Sequence, residues 1–377
     1  MNNLKREPST AAAFDLHGLV TIRLVDAQPR DVHAVTRQLG PIRSDGCEEA
    51  DITIRFVERL RPDSRIRYLG LHQGGFTDSA FLVLRSSRKA RTRVQIPMQH
   101  IGGRCEIVCE HGAPAVPLLI PIVNLTALVK GTIPLHAAAF EWNGAGVVVT
   151  GWSKGGKTET LLSFMNRGAR YIADEWCYIK PDGRQIFGVP EPVRLWRWQL
   201  LQLPHYRSRI SLAQRMNMAV LAIVPTLQAR LPLKLQRSRP GRTIQRVAHF
   251  LEQRLNVLVP PEKLFDQGVT STEGEFTHLI FVMSTEDPST TVQSISPETV
   301  ADKMVHSLQY EHFPLLEYYR MFQFAFPELS NPHLETAEER QRALLRRAFK
   351  DKRSLLIEHP YPVRLEELFE RIEPQLQ

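Results

Sequence analysis

The residues that most constrain the fold of this chain are GWSKGGKT, at positions 151–158. They match the pattern G-x-x-x-x-G-K-[S/T], follow the apolar β-branched residues 147–149, and precede a segment with helical character at 159–166. The glycines let the backbone curl so that successive N–H groups point inward, and the following helix adds the positive end of its dipole. A strand, a tight loop and a helix in this order predict an α/β core whose loop cradles phosphate.

Each position of this loop has an expected role in holding ATP together with Mg²⁺. Lys157 is expected to bridge the outer phosphates, and the Thr158 hydroxyl to ligate Mg²⁺. Lys154 is unusual at its position, and it either adds charge toward the phosphates or points into solvent. The residues expected to contact the nucleotide are Gly151, Ser153, Lys154, Gly155, Gly156, Lys157, Thr158 and Glu159. The alternative is a structural glycine turn, which the flanking strand and helix disfavour.

Two further polar sites lie on strand-like runs near the loop. The run ARYIADE at 169–175 ends in Asp174 and Glu175, where a second anchor for Mg²⁺ belongs in an α/β sheet. Taken alone, an acidic pair at this position usually marks only the place where a strand ends and a solvent-exposed loop begins. His136 lies among apolar neighbours in PLHAAAF, and periodicity does not separate a core histidine from a site residue there.

His136, the glycine loop and the acidic pair together resemble the HPr kinase/phosphorylase family, bacterial serine kinases whose core is related to PEP carboxykinase. In that family a histidine precedes the first loop glycine by fifteen positions, as His136 precedes Gly151 here. The first carboxylate follows the loop lysine by seventeen positions, as Asp174 follows Lys157 here. The Arg-Gly pair between the helix and the second strand also matches, at Arg167-Gly168.

The resemblance implies a kinase that transfers the γ-phosphoryl group of ATP to a hydroxyl, on a serine of a peptide or protein or on a small metabolite. It implies that Asp174 acts as general base toward the acceptor hydroxyl, while Glu175 and Thr158 hold Mg²⁺. It also implies that Lys157 clamps the phosphates and that His136 lies beside the transferred phosphoryl group. These residue types suit the reaction, because phosphoryl transfer needs positioning, charge neutralisation and one carboxylate to take a proton.

The resemblance covers about residues 133–190 and has clear departures. The second acid is Glu175 rather than aspartate, and the loop reads W-S-K-G-G rather than the D-S-G-V-G type. The segment with which the family recognises HPr has no counterpart, and 189–204 stands in its place, so HPr is disfavoured as the acceptor. Arg194 and Arg197 are candidate substrate contacts that share a face if helical. The alternative for this segment is an aromatic-packed connection.

Two other functions stay open from the sequence. A nucleotide-binding switch or ATPase of kinase-like fold would bind or hydrolyse ATP without phosphorylating an acceptor. A nucleic-acid-binding protein is suggested by the net charge of +8 and by the segment 230–246, which has six basic residues and no acidic one. That segment lacks a stacking-aromatic motif, which disfavours nucleic acid. It is either a solvated basic surface or one that meets a phosphorylated or acidic partner.

Sequence patterns predict three regions along the chain. Short alternating runs predict a strand-rich N-terminal region at 1–115, with a helix near 31–39. Residues 116–330 are expected to form an α/β nucleotide-binding core like that of HPr kinase and PEP carboxykinase, with a helical insertion at about 198–256. Residues 331–377 are expected to form a helical C-terminal extension.

Cysteine usage and the distribution of apolar residues predict a cytoplasmic protein without a membrane partner. The cysteines are Cys47, Cys105, Cys109 and Cys177. They are too few and too scattered for a disulfide framework or a zinc site. The most apolar run, 115–129, contains two prolines, is too short to span a bilayer and fits a buried helix. Residues 1–18 lack the pattern of a signal peptide. Assembly into a homo-oligomer is left open.

Overall fold

Strands and helices alternate in a mixed α/β fold throughout the described residues of the computed structural model, which are 10–44, 49–85, 91–230, 232, 238–265 and 271–376. The strands are β1 (Thr10–Leu16), β2 (Val20–Ala27), β3 (Arg43–Ser44), β4 (Ile52–Val57), β5 (Arg67–Leu69), β6 (Gly74–Phe76), β7 (Phe81–Arg85), β8 (Arg91–Gln95), β9 (Cys105–Glu110), β10 (Ile133–Trp142), β11 (Ala145–Gly151), β12 (Arg170–Ala173), β13 (Trp176–Ile179), β14 (Gln185–Gly188), β15 (Val193–Trp196), β16 (Asn256–Val259), β17 (Glu273–Glu275), β18 (His278–Ser284), β19 (Thr291–Ser294) and β20 (Arg353–His359). The helices are α1 (Pro29–Leu39), α2 (Leu119–Val129), α3 (Lys157–Met165), α4 (Arg197–Gln202), α5 (Pro204–Ser208), α6 (Leu212–Leu221), α7 (Ile223–Ala229), α8 (Arg239–Glu252), α9 (Pro261–Leu264), α10 (Pro297–Ala325), α11 (Pro332–Glu335), α12 (Ala337–Phe349) and α13 (Leu365–Ile372).

The first sheet has the strand order β3-β1-β2-β4-β9-β8-β7-β6-β5. Strands β2, β4 and β9 run parallel, and the other neighbours are antiparallel. Alternation decides which face is buried: in β4 the residues Ile52, Ile54 and Phe56 are buried and the residues between them are not. This is the sheet that the alternating runs of the N-terminal sequence predict.

The second sheet has the strand order β17-β14-β13-β10-β11-β18-β20-β19, and β12 also pairs with β10. Strands β11, β18 and β20 run parallel, so their carboxyl ends meet at one edge of the sheet. All seven residues of β11 are buried, as expected for a strand whose two faces are both covered. Helix α3 covers one face and α10 the other. Two buried clusters, one on each face, hold this sheet.

Strand β20 differs from the expected helical C-terminal extension at 331–377. Residues Arg353–His359 form a strand between β18 and β19 in the second sheet, although α12 and α13 on either side are helical as expected. The run SLLIEH is short, and most of its residues are buried between neighbouring strands, so sheet pairing takes precedence over helix formation. The predicted division at residue 115 stays a prediction, and one buried cluster spans it, joining the first sheet to α2 and to Leu315 of α10.

Helix α2 occupies the most apolar run of the sequence and is buried, as expected. Its Asn124 side chain accepts a hydrogen bond of 2.7 Å from the Tyr178 hydroxyl. None of the helices in the described residues is long and apolar enough to cross a bilayer.

Cys105, Cys109 and Cys177 are buried free thiols, and burial raises the pKa of Cys105 and Cys109 to about 12. Cys47, residues 1–9, and 231 and 233–237 of the basic segment lie outside the described residues.

Candidate active site

Strand β10 brings the glycine loop, the histidine and the acidic pair together. On one side Ala137 pairs with Thr150, one residue before the loop. On the other side His136 pairs with Trp176, and the N–H of Ala137 donates to the carbonyl of Glu175 at 3.2 Å. The loop after β11 and the Asp174-Glu175 turn after β12 therefore flank His136 at one edge of the sheet.

The glycine loop is packed so tightly against two strands that side chains are excluded at two of its positions. A Cβ on Gly151 would lie 2.4 Å from the carbonyl oxygen of Val282 in β18. A Cβ on Gly156, whose φ is +111°, would lie 2.1 Å from Nε2 of His359. His359 itself is buried at the end of β20 and donates from Nε2 to the carbonyl of Gly155 at 3.0 Å. Sequence reasoning missed His359, since it lies about two hundred residues along the chain from the loop.

Lys157 begins α3 and points into the site rather than into solvent. Its side chain is buried, and Nζ donates to the carbonyl of Trp152 at 3.0 Å. Burial lowers the pKa of Lys157, while the carboxylates of Glu175, Glu311, Asp174 and Glu159 act in the opposite direction. This amine is therefore held at the loop by the Trp152 carbonyl and lies in the field of the surrounding carboxylates.

The other loop residues differ in exposure. Lys154 is exposed with a positive φ of 63°, which places it at the outer side of the turn. Ser153 and Thr158 are half-buried, whereas Glu159 is buried and accepts a 2.9 Å hydrogen bond from Nε2 of Gln199. Burial raises the pKa of Glu159 despite that bond. Glu159 thus connects α3 to the insertion, and its contact with the nucleotide stays a prediction.

Asp174 is a buried carboxylate without a direct partner among the described residues. It is only 3% exposed, and neither of its oxygens has a hydrogen bond of good geometry. Burial, followed by the charge of Glu175, raises the pKa of Asp174 to about 7, and the nearby Thr158 hydroxyl limits the rise. An unsatisfied buried carboxylate is unfavourable on its own. Its position beside Thr158 suits an acceptor hydroxyl or a cation.

His136 is fixed between two carboxylates. Its Nδ1 lies 2.8 Å from Oε1 of Glu311 and its Nε2 lies 3.3 Å from Oε2 of Glu175, while its ring stacks on Trp176. Burial alone would lower the pKa of His136, but the hydrogen bonds to Glu175 and Glu311 outweigh it and raise the pKa. Glu311 comes from α10, and no local pattern in the sequence singles it out.

Arg194 lies near the site, but the predicted helical face shared with Arg197 is wrong. Arg194 is on strand β15 and Arg197 begins α4, because the alternating residues of β15 pair with β16. Arg194 is exposed and donates to Oδ1 of Asn256 at 3.4 Å. Burial opposes ionisation of Glu175, yet His136, Lys157 and then Arg194 hold its pKa below the ordinary value.

An aromatic pair at the mouth of the site was also missed from the sequence. Trp152 of the loop and Tyr310 of α10 have ring centroids 5.0 Å apart. Both side chains are about half exposed, so their faces are accessible beside the loop. The pair places partly exposed aromatic surface on the loop itself, five residues before Lys157.

Comparison with known proteins gives a partial and distant match. The HPr kinase/phosphorylases of Lacticaseibacillus casei and Lacticaseibacillus paracasei are each 25% identical to this chain over 149 residues, which is 35% of this chain and 47% of each relative. The chain therefore spans about half the length of the curated relatives it matches. No family model matches the chain. The match indicates a distant relationship to a kinase/phosphorylase.

Proposed function

We propose that this protein is an ATP- and Mg²⁺-dependent kinase that transfers the γ-phosphoryl group to a hydroxyl, on a serine of a peptide or protein or on a small metabolite. The observation that carries the proposal is the convergence of Lys157, His136 and the unpartnered carboxylate Asp174 beside the glycine loop. The distant similarity to HPr kinase/phosphorylase supports a kinase in particular. HPr itself stays disfavoured as the acceptor, since the family's recognition segment has no counterpart.

In this proposal the loop 151–158 holds the nucleotide phosphates. Its backbone N–H groups and the N-terminus of α3 supply donors and a positive dipole end. Lys157 exchanges its bond to the carbonyl of Trp152 for a phosphate oxygen, which also places its charge where negative charge develops. The half-exposed pair Trp152 and Tyr310 covers the nucleotide at the mouth of the site.

The residues at this edge fit a magnesium ion that substrate phosphates help to hold. Thr158 and Glu175 supply an hydroxyl and a carboxylate, and the unsatisfied oxygens of Asp174 lie beside Thr158. Among the described residues no group of three or more acidic, histidine or cysteine side chains is arranged to hold a metal without other ligands. A hydroxyl and one or two carboxylates completed by substrate phosphates would be a usual ligand set for Mg²⁺. Bound Mg²⁺ would neutralise charge on the phosphate oxygens.

Asp174 is the residue that we assign as general base. A pKa near 7 leaves a substantial fraction of the carboxylate ionised at neutral pH, yet basic enough to take the proton of a hydroxyl. His136 is held by Glu175 and Glu311, whose hydrogen bonds raise its pKa and so favour the protonated ring beside the transferred phosphoryl group. His136 lies on β10, and Asp174 lies in the short turn between β12 and β13, two strands that both pair with β10.

The test is transfer of label from γ-labelled ATP with Mg²⁺ in an extract of the source cells that contains proteins and small molecules. Wild type is compared with Lys157→Ala and Asp174→Asn. A labelled product that forms only with wild type supports the kinase, and its mass identifies the class of acceptor. Label released only as free phosphate would favour the ATPase or switch instead. Binding of ATP with no turnover in the extract would contradict a kinase.

A further inference from the structure

The positive charge of the chain is concentrated in the insertion between β15 and β16. Of the residues at 198–256, ten are lysine or arginine and only Glu252 is acidic, an excess of nine. The net charge of the whole chain is +8, so the rest of the protein is close to neutral. A charge excess confined to one segment is not required for solubility, and it marks a surface that attracts an anionic partner.

Helices α6 and α7 of the insertion also expose a continuous apolar stripe. Spacings of three and four residues put its members on one side of the two helices, which follow each other directly. Each of these side chains is more than half exposed: Leu212, Met216, Val220, Ile223 and Leu227. Helix α8 adds Ile244, Val247 and Phe250, which are also exposed. Contiguous apolar surface of this kind is typical of a binding site.

A basic groove lies between α7 and α8. It has a volume of about 430 Å³, and its lining includes Arg242, Arg246 and His249 from α8 together with Gln228 from α7. Arg242 and Arg246 are exposed, and Glu252 is the single acidic group in the lining. The insertion therefore combines a positively charged concave surface with exposed aliphatic side chains on the same helices.

The insertion is attached directly beside the candidate active site. Strand β15, which leads into it, carries Arg194, whose charge acts on Glu175. Helix α4 contacts α3 through the buried hydrogen bond from Gln199 to Glu159. A polypeptide bound on α6, α7 and α8 would thus be tethered to a segment that is anchored beside the site through β15 and α4.

We propose that α6, α7 and α8 form a docking surface for an acidic, amphipathic peptide segment of the acceptor. Its carboxylates would occupy the basic groove, and its apolar side chains would cover the exposed stripe. This proposal rests on the proposed kinase function, because the acceptor supplies the segment. It narrows the acceptor to a peptide or protein, and docking raises the local concentration of the hydroxyl at the site.

Charge and shape favour a peptide over other occupants. A second copy of this chain would bring two positively charged surfaces together, which electrostatic repulsion opposes. Nucleic acid would satisfy the arginines, but among the eight exposed apolar side chains named above only Phe250 is aromatic and suited to base stacking, so the aliphatic stripe would stay in water. A flat anionic bilayer does not enter a groove, whereas the side chains of a peptide do.

The experiment measures fluorescence anisotropy of a labelled twenty-residue peptide made of leucine at helical spacing and glutamate elsewhere, without nucleotide. The reference probes are a lysine-leucine peptide of the same pattern, a twenty-nucleotide single-stranded DNA, and vesicles of phosphatidylglycerol or phosphatidylcholine. The variants are Val220→Glu with Leu227→Glu in the stripe, and Arg242→Glu with Arg246→Glu in the groove. Arg59→Glu with Arg65→Glu, exposed in the first sheet's loops, is the matched control. Circular dichroism confirms that each variant folds.

Wild type is expected to bind the glutamate-leucine peptide at least about tenfold more tightly than the lysine-leucine peptide, with affinity that falls as salt rises. Both insertion variants should lose about tenfold or more of that affinity, and the Arg59/Arg65 control should keep it. Lys157→Ala should also keep it, so a failure of docking is distinguishable from a failure of the kinase proposal.

Several results would overturn the docking surface. One is equal binding of the two peptides, or binding that the insertion variants leave unchanged. Another is preferential binding of DNA or of phosphatidylglycerol vesicles over the glutamate-leucine peptide. A wild-type dimer in sedimentation that Val220→Glu with Leu227→Glu dissociates would show that a second copy covers the stripe instead.

Discussion

The candidate active site contains side chains of both charge signs, whereas the insertion at 198–256 carries a large excess of positive charge. In the site, Lys157 and His136 lie among carboxylates that include Glu175 and Glu311, so opposite charges fix one another's positions. In the insertion, arginines dominate and Glu252 is the single acidic residue. Charges of opposite sign hold one another in place within the fold, whereas an excess of one sign creates a field that attracts anionic partners.

The two regions also differ in how far their apolar side chains are buried. Where α3 packs on the second sheet, Phe140 and Phe164 are fully buried and stack with centroids 4.6 Å apart. In the insertion, Leu227 is 59% exposed. The first region therefore has a closely packed interior, and the second has exposed apolar surface. Each of the following substitutions tests one side of this contrast.

The largest effect is expected from Asp174→Asn in the site. If Asp174 takes the proton of the acceptor, the rate of phosphoryl transfer should fall by about 10²–10⁴-fold. Nucleotide affinity should stay within about threefold of wild type, because the base acts on the acceptor and not on ATP. Single-turnover transfer and equilibrium binding of ATP measure the two quantities. Loss of ATP binding would instead make Asp174 a primary metal ligand.

The tight packing of the loop predicts a large cost for Gly156→Ala. The new Cβ would collide with His359, which is held by its bond to Gly155, and the backbone is at a φ of +111°. We expect a loss of about 2–4 kcal/mol of unfolding free energy, measured by urea denaturation. Gly144→Ala is the control, since Gly144 also has positive φ, +84°, but nothing lies within 4 Å of its Cβ. Equal losses for the two variants would contradict the packing of His359 under the loop.

Removal of the buried charge at Asp174 should stabilise the protein in a pH-dependent way. Burial raises the pKa of Asp174 from an ordinary 3.8 in the unfolded chain to about 7 in the folded protein. The free energy of unfolding of wild type therefore falls as the pH rises between these two values, because the folded protein must then hold a buried charge. The difference in unfolding free energy between Asp174→Asn and wild type should therefore shift in favour of the variant by about 2 kcal/mol from pH 5 to pH 8. Thermal unfolding at both pH values measures it.

The control for this pH dependence is Asp302→Asn. Asp302 is partly exposed, and its hydrogen bond to Arg346 lowers its pKa. The free energy of unfolding of Asp302→Asn relative to wild type should therefore not increase from pH 5 to pH 8. A gain for Asp174→Asn that is the same at pH 5 and pH 8 would show that its carboxyl is not held near neutrality.

The smallest effect is expected in the insertion. Leu227→Ser removes an exposed side chain of the stripe, and the free energy of unfolding should change by less than about 0.5 kcal/mol. Phe164→Ala, in the buried cluster beside the site, should lose several times more, about 3–5 kcal/mol. A cost of 2 kcal/mol or more for Leu227→Ser would mean that the stripe is covered within the fold.

The sequence predicted the parts of the site that depend on local pattern. The strand–loop–helix order at 147–165 follows from β-branched residues, glycines and helix formers that are adjacent along the chain. Asp174 and His136 lie where the strand pattern and the family resemblance put them, beside the loop. Their chemical roles stay predictions that the experiments above test.

The parts that the sequence did not predict depend on contacts between distant segments. Glu311 reaches His136 across 175 positions, and His359 reaches Gly155 across 204. Neither residue belongs to a local motif, so only the folded sheet and α10 bring them to the site. Strand β20 was also missed, because a short apolar run between two helices has no periodicity that distinguishes a strand from a helix.

The most direct test of the proposed kinase function is equilibrium binding of ATP, with and without Mg²⁺, to wild type, Lys157→Ala and Lys154→Ala. Lys157 is buried at the loop and Lys154 is exposed in the same loop, so the two substitutions remove one charge each from different positions. The proposal predicts Mg²⁺-enhanced binding by wild type, a loss of about tenfold or more for Lys157→Ala, and a smaller loss for Lys154→Ala. Wild type that does not bind ATP, or that binds it no better than Lys157→Ala, would contradict it.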